Sequence, residues 1–137
     1  MSRFATMLAA LALVAGCGSS TTENNPPPPP PPTANDITIE AGASLAPAQA
    51  FSPNPLSAPL SGGATVAVRW VNRDFSNGGV YGGTTSVAHH IVADDGHSFE
   101  SPTLDGNGTY SVSLGAGTYP YHCTIHPTMK GTITITP

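Results

Sequence analysis

Apolar and polar residues alternate along several short segments of the chain, with the period of two that is typical of half-buried β-strands. The segments predicted in this way are 37–40, 66–72, 109–114, 119–123 and 131–136. Residues 87–93 are predicted as a further strand, which is mostly apolar and is interrupted by His89 and His90. Glycine-rich turns separate the strands, for example at residues 62–63 and 115–117. Four prolines interrupt residues 45–59, so any strand there is expected to lie at a sheet edge or to be interrupted. After residue 16 no stretch of ten residues has the 3.6-residue period of a helix, and the pattern therefore predicts an all-β sandwich or barrel.

The N-terminus has a different pattern. Arg3 is followed by an apolar run over residues 4–15, in which only Thr6 is polar. These 12 residues are too few to cross about 30 Å of bilayer hydrocarbon, which takes about 20 residues, so the run is interpreted as a cleavable export signal. A buried core helix is the alternative, which the terminal position and the polar, helix-breaking residues 18–22 disfavour.

The end of the apolar run carries a candidate attachment site for lipid. Residues 13–17 read Leu-Val-Ala-Gly-Cys and resemble the lipobox of bacterial lipoproteins. The resemblance implies a lipoprotein signal peptide over residues 1–16 and a lipid on Cys17, which becomes the first residue of the mature chain. Several acyl chains hold a protein at a membrane far more firmly than one chain does.

Seven consecutive prolines at residues 26–32 follow the candidate lipid site. A proline run adopts the polyproline II conformation and makes a stiff spacer, here of roughly 20 Å. Residues 17–33 are therefore predicted to be a lipidated N-terminus and a disordered, proline-rich linker, and residues 34–137 the folded domain. A ligand for a proline-binding domain is the alternative for the run.

Charge and composition exclude several classes of protein. Only 12 of the 137 residues are Asp, Glu, Lys or Arg, which is 9% against the roughly 25% of ordinary soluble proteins and argues against a helical bundle or coiled coil. The net charge is −4 with four basic residues in all, so no basic surface for nucleic acid can be assembled. The two cysteines leave one disulfide or two separate thiols open.

Three residues of the loop between the last two predicted strands form a set of soft metal ligands. Cys123, His126 and Met129 follow one another at three-residue steps. A thiolate, an imidazole and a thioether favour copper over magnesium or calcium, and two His with one Cys and a weak axial Met are the donor set of a blue-copper site. Taken singly, each residue is more typical of a core or surface position. His90, on an earlier strand, can supply the second His, because a β-sandwich brings distant loops together at one end.

In these residues the domain resembles a cupredoxin of the plastocyanin and amicyanin type, over essentially all of residues 33–137. The matching segments are 68–74, 90–95, 117–123 and 130–135, with the Cys-x-x-His-x-x-Met pattern at 123–129 and its short, amicyanin-like spacing. The resemblance implies a Greek-key β-sandwich that binds one type 1 copper ion. It implies that His90, Cys123, His126 and Met129 are the ligands.

The choice of the first ligand depends on strand register. Alternation places His89 and His90 on opposite faces, so only one of them can face the metal, and the resemblance selects His90. Ile91 then stands where the family has an Asn that braces the ligand loop. The glycine-rich residues 77–83 are a second departure from the family pattern. With Cys17 lipidated and Cys123 bound to copper, the mature chain is expected to have no disulfide.

The resemblance implies a carrier of single electrons rather than an enzyme, because copper enzymes of this fold need a second metal centre between domains. His126, flanked by Ile125 and Pro127, takes the family's role of electron port at the surface. The expected partner is a redox protein such as a cytochrome or dehydrogenase. The expected form is a monomer, anchored by lipid in the bacterial cell envelope on the periplasmic or outer-surface side. Copper storage or delivery, and an adhesive domain on a stalk, are the alternatives.

Overall fold

A computed structural model describes residues 31, 33–77 and 83–137 of the chain. The predicted signal peptide over residues 1–16, the candidate lipid site Cys17 and all but one residue of the proline run lie outside the described residues, as do residues 78–82 of the glycine-rich segment. Among the described residues, no helix is both long enough and apolar enough to cross a membrane.

The described residues form ten strands and a single short 3-10 helix, so the all-β prediction is confirmed. The strands are β1 (Asp36–Ile39), β2 (Phe51–Ser52), β3 (Leu56–Pro59), β4 (Val66–Asn72), β5 (Phe75–Asn77), β6 (Thr84–Ser86), β7 (Ile91–Ala93), β8 (Thr109–Leu114), β9 (Gly117–Cys123) and β10 (Lys130–Thr136), with the 3-10 helix at Pro47–Gln49.

Two four-stranded sheets make up the sandwich, and a small hairpin of β5 and β6 is added to it. The first sheet has the order β2-β1-β4-β8 and the second the order β3-β10-β9-β7. β1 runs parallel to β4 and β3 runs parallel to β10, while the other pairs are antiparallel. The two strands of the proline-rich segment, β2 and β3, lie at sheet edges as predicted, where a missing N–H donor breaks no ladder.

Aromatic side chains from both sheets fill the core. The fully buried ring of Trp70 in β4 lies 5.4 Å from that of Tyr121 in β9, edge to face, and 5.1 Å from that of Phe99. Such pairs add about 0.5–1.5 kcal/mol each to the burial of their surface. Tyr121 is two residues before Cys123 on the same buried face of β9, so the core that joins the sheets also fixes the strand that carries the thiol.

Candidate metal centre

Three candidate ligand side chains meet at one end of the sandwich. Nδ1 of His89 is 3.6 Å from Sγ of Cys123, and Nδ1 of His126 is 3.8 Å from the same sulfur. The two imidazole nitrogens are 3.3 Å apart. Cys123 and His89 are fully buried, whereas His126 is half-buried. The three residues form a triangle of donor atoms that is closed on one side by the core.

The backbone of the loop between β9 and β10 sets the positions of two of these donors. Cys123 ends β9 and pairs with Ile91 of β7. Its N–H donates to the carbonyl oxygen of Met129 at 3.1 Å, and the N–H of Met129 donates to the carbonyl oxygen of His126 at 2.9 Å. The loop is therefore closed at its base, and His126 is held over Cys123.

The structure places His89, and not the predicted first ligand His90, in the cluster with Cys123 and His126. His89 and His90 do lie on opposite faces, as alternation requires. His89 shares the buried face with Ile91 and Ala93, which are 0% and 2% exposed. The predicted strand over 87–93 is also shorter, since β7 contains only its last three residues and His89 is bridged to Leu104 instead. Residues 91–93 are all apolar, so the sequence pattern did not show which of the two His residues shares the buried face.

His90 has contacts of its own outside the cluster. Its Nδ1 lies 2.7 Å from Oγ1 of Thr124, and its Nε2 lies 3.2 Å from a carboxylate oxygen of Glu100. The N–H of Thr124 also donates to the carbonyl oxygen of His90 at 2.9 Å. In the family pattern, an Asn directly after the first His braces the ligand loop. If His89 is that first His, the residue in the Asn position is His90 rather than Ile91, and the side chain of His90 links this segment to the ligand loop.

Burial controls the protonation of His89. It lowers the pKa of the ring, and the nearby His126 lowers the pKa further, while the hydrogen bond to Asp74 opposes both effects. A ring with a lowered pKa is neutral near pH 7 and keeps a lone pair on one nitrogen. His89 is therefore ready to bind a metal ion without first losing a proton.

The spacing of the three donors fits a single metal ion. With metal–nitrogen and metal–sulfur lengths like those of zinc, a trigonal plane requires about 3.5 Å between the nitrogens and about 3.7 Å from each nitrogen to the sulfur. The observed separations of 3.3, 3.6 and 3.8 Å are close to these values. All ligand atoms of the cluster lie within 4.8 Å of one another. Two imidazoles with a thiolate are the trigonal donors of a blue-copper site.

The other predicted site residues have separate outcomes. Met129 is fully buried and bonded to the loop through its backbone, and its role as the fourth ligand stays a prediction. Cys123 is a free, buried thiol. The two remaining histidines of the chain, His97 and His122, were not predicted as ligands; they lie outside the cluster, and each contacts an Asp of the turn after β7.

Comparisons with known proteins agree with the fold and the donor set. No family model matches the chain. The chain is similar to amicyanin-alpha of Methylorubrum extorquens, with 36% identity over 74 residues, which are 50% of this chain and 53% of the relative. The chain thus spans about half the length of the curated relative that it matches.

Solved structures resemble the whole sandwich. A purple cupredoxin from Nitrosopumilus maritimus has a TM-score of 0.57 and 27% identity, over 74% of this chain and 98% of the other. A single-residue variant of amicyanin in its reduced Cu(I) form has a TM-score of 0.52 and 22% identity, over 77% and 84% of the two chains, and at that identity shows the fold alone.

The two-sheet fold is that of the solved cupredoxins, and it brings His89, Cys123 and His126 together as a possible copper-binding cluster. The sequence similarity to amicyanin-alpha over half of the chain, together with the short ligand loop, supports a cupredoxin of the amicyanin type.

Proposed function

We propose that the chain carries single electrons on one type 1 copper ion, which His89, Cys123 and His126 would hold together with Met129. The observation that carries the proposal is the triangle of two imidazole nitrogens and one thiol sulfur at 3.3, 3.6 and 3.8 Å. When bound to such donors, copper supplies a one-electron exchange between its +1 and +2 states.

Burial and backbone hydrogen bonds suit the protein part of the site to this role. Cys123 and His89 are fully buried, so water does not reach the thiol or the first imidazole. The ladder between β7 and β9 and the closed base of the ligand loop hold the donor atoms at fixed separations. A site that keeps its geometry in both oxidation states exchanges an electron with little rearrangement.

His126 offers the route to the surface. It is half-buried, and its neighbour Ile125 is 47% exposed, one of two large apolar side chains that stand out from the surface of the described residues. A small apolar contact around His126 suits the weak, short-lived docking of electron-transfer proteins, whose interfaces are small. The net charge of −4 favours a partner with a basic surface, such as a cytochrome or a dehydrogenase.

A membrane anchor, made of the lipid on Cys17 and the proline-rich linker, is a further part of the proposal and is supported by the sequence. We propose that Cys17 carries lipid, that the prolines of residues 26–32 hold the domain away from the membrane, and that the protein works in the bacterial cell envelope. Full-length protein expressed in a bacterium should partition into the detergent phase, and the Cys17→Ser variant should partition into the aqueous phase. Equal partition of the two proteins would contradict lipidation at this residue.

Copper titration of the metal-free protein tests the electron-transfer proposal. We expect one equivalent of Cu(II) to give an intense visible band from thiolate-to-copper charge transfer, and the Cys123→Ser variant to give none. The coloured protein should then lose its band with a one-electron reductant and recover it with a one-electron oxidant over repeated cycles. A protein that binds copper without the band, or that cannot be cycled, would instead support storage or delivery of copper.

A further inference from the structure

A buried carboxylate lies on the side of His89 that faces away from the metal centre. Oδ2 of Asp74 is 3.1 Å from Nε2 of His89, and the two side chains are 2% and 0% exposed. The other ring nitrogen, Nδ1, is the one that faces Cys123 and His126. The two nitrogens of one imidazole thus have two different partners. A neutral imidazole carries one N–H, and the nitrogen that carries it cannot bind a metal.

Asp74 is held in place by groups other than His89. Its Oδ1 accepts a hydrogen bond from the N–H of Gly42 at 2.7 Å, and its own N–H donates to Oδ1 of Asn72 at 2.9 Å. Asn72 is itself fully buried, and its amide donates to two backbone carbonyl oxygens at 2.7 and 2.8 Å. The carboxylate is therefore a fixed acceptor, and the ring of His89 has to present a donor to it.

We propose that Asp74 is a positioning residue that fixes His89 in the tautomer with the proton on Nε2 and directs the Nδ1 lone pair at the metal centre. The inference rests on the proposed function and deepens it, since it names the group that prepares one ligand. A carboxylate behind a ligating imidazole orients the ring and raises its strength as a donor.

The negative charge of Asp74 also favours a metal ion on the Nδ1 side of His89. A carboxylate buried without a cation is costly, and among the described residues its ion-pair contact is the ring of His89. A metal ion on the far nitrogen of that ring places a positive charge where it compensates the carboxylate. The compensation is larger for Cu(II) than for Cu(I), so Asp74 favours the oxidised form and lowers the reduction potential.

The Asp74→Asn variant tests the proposal with almost no change in shape. An Asn side chain has one oxygen where Asp has two, so it cannot accept from both Gly42 and His89. We expect the oxygen to stay with the shorter bond, to Gly42, and the amide to turn its N–H toward Nε2 of His89. The imidazole proton then moves to Nδ1, the nitrogen needed by the metal.

The first measurement needs no metal. Nitrogen NMR of the metal-free wild-type protein near neutral pH should show His89 with its proton on Nε2, and the Asp74→Asn variant should show a rise in the Nδ1–H form. A His89→Gln variant assigns the signal. A wild-type His89 that carries its proton on Nδ1 would overturn the proposal without any further variant, even if Asp74→Asn does not fold.

The second measurement is copper binding by the same proteins. We expect Asp74→Asn to lose roughly 10- to 100-fold in affinity for Cu(II). Each tenfold loss of Cu(II) affinity relative to Cu(I) raises the reduction potential by about 59 mV. Asp94→Asn is the matched control, because it removes the same charge from a carboxylate that contacts His122, outside the cluster, and should leave both quantities unchanged.

The outcomes separate this inference from the proposed function. A wild-type protein that binds no copper refutes the electron-carrier proposal, while its metal-free NMR spectrum still decides the role of Asp74. A coloured wild-type protein whose tautomer, Cu(II) affinity and potential are all unchanged in Asp74→Asn refutes the positioning role and leaves the electron carrier intact.

Discussion

Gly131 is the position at which the structure makes its sharpest prediction about stability. It lies in β10 directly opposite Tyr121 of β9. A Cβ atom added at Gly131 would lie 2.2 Å from Cζ and 2.3 Å from the hydroxyl oxygen of Tyr121. The ring of Tyr121 is fully buried and packs at 4.9 Å from Phe51 and 5.4 Å from Trp70, so it has no free direction in which to move.

The size of the effect follows from this overlap. To reach 3.4 Å, at which ordinary contact begins, the ring of Tyr121 must move by about 1.2 Å, the difference between 3.4 and 2.2 Å. Overpacking in a dense core costs about 1–3 kcal/mol and at times more, so we expect Gly131→Ala to lower the free energy of unfolding by about 3 kcal/mol. The copper site should also be disturbed, since Tyr121 is two residues before Cys123.

Guanidinium unfolding of the metal-free protein measures this effect, with the fluorescence of Trp70, the single tryptophan of the chain, as the signal. Gly115→Ala is the control, because the nearest atom to its new Cβ is the carbonyl oxygen of Ala64 at 3.6 Å, and its cost should be below about 0.5 kcal/mol. In a Tyr121→Leu background the cost of Gly131→Ala should fall below about 1 kcal/mol. Equal costs in the two backgrounds would refute the overlap as the cause.

Two further predictions concern the framework around the site. Burial raises the pKa of Asp36, but the hydrogen bonds that its carboxylate accepts, chiefly from Arg69, lower the pKa to about 2. Above pH 4, Asp36→Asn should therefore lower the free energy of unfolding by about 1 kcal/mol. This loss of stability should disappear as the pH falls toward 2, because the carboxylate of Asp36 is then protonated. Urea unfolding at several pH values measures it, and a loss that is the same at every pH would contradict a role for the ion pair. Asn72→Ala should lower the free energy of unfolding by about 3 kcal/mol, because it leaves buried groups such as the carbonyl of Leu104 without a hydrogen-bond partner. The control is Asn54→Ala, which removes an exposed hydrogen bond to the carbonyl of Lys130 and should lower it by less than about 1 kcal/mol.

Much of the fold could be predicted from the sequence because the strands are half-buried. Val66–Asn72 and Lys130–Thr136 were predicted to within one residue. Val66, Val68 and Trp70 share one face of the first strand, and Ile133 and Ile135 share one face of the second. The edge positions of β2 and β3 followed from proline chemistry. The pairing of β1 with β4 and of β3 with β10 could not be predicted in this way, because register between distant strands depends on the packing of the whole sandwich.

The candidate site divides in the same way. Cys123 and His126 are close in sequence and share one loop, so their spacing was enough to bring them together. The choice between His89 and His90 depended on which face of a short, irregular segment is buried, and the family resemblance selected His90, whose ring lies outside the cluster. Asp74 had no sequence signal, because its contact with His89 joins residues that are 15 positions apart in the chain.

Copper titration of a pair of neighbouring variants tests the central claim most directly. His89→Ala removes a ring whose nitrogen lies 3.6 Å from Sγ of Cys123, and His90→Ala removes a ring that contacts Thr124 and Glu100 instead. We predict that, with one equivalent of Cu(II), His90→Ala keeps the intense thiolate-to-copper band of the wild-type protein and His89→Ala loses it. A band that survives in His89→Ala and disappears in His90→Ala would contradict the metal centre described above.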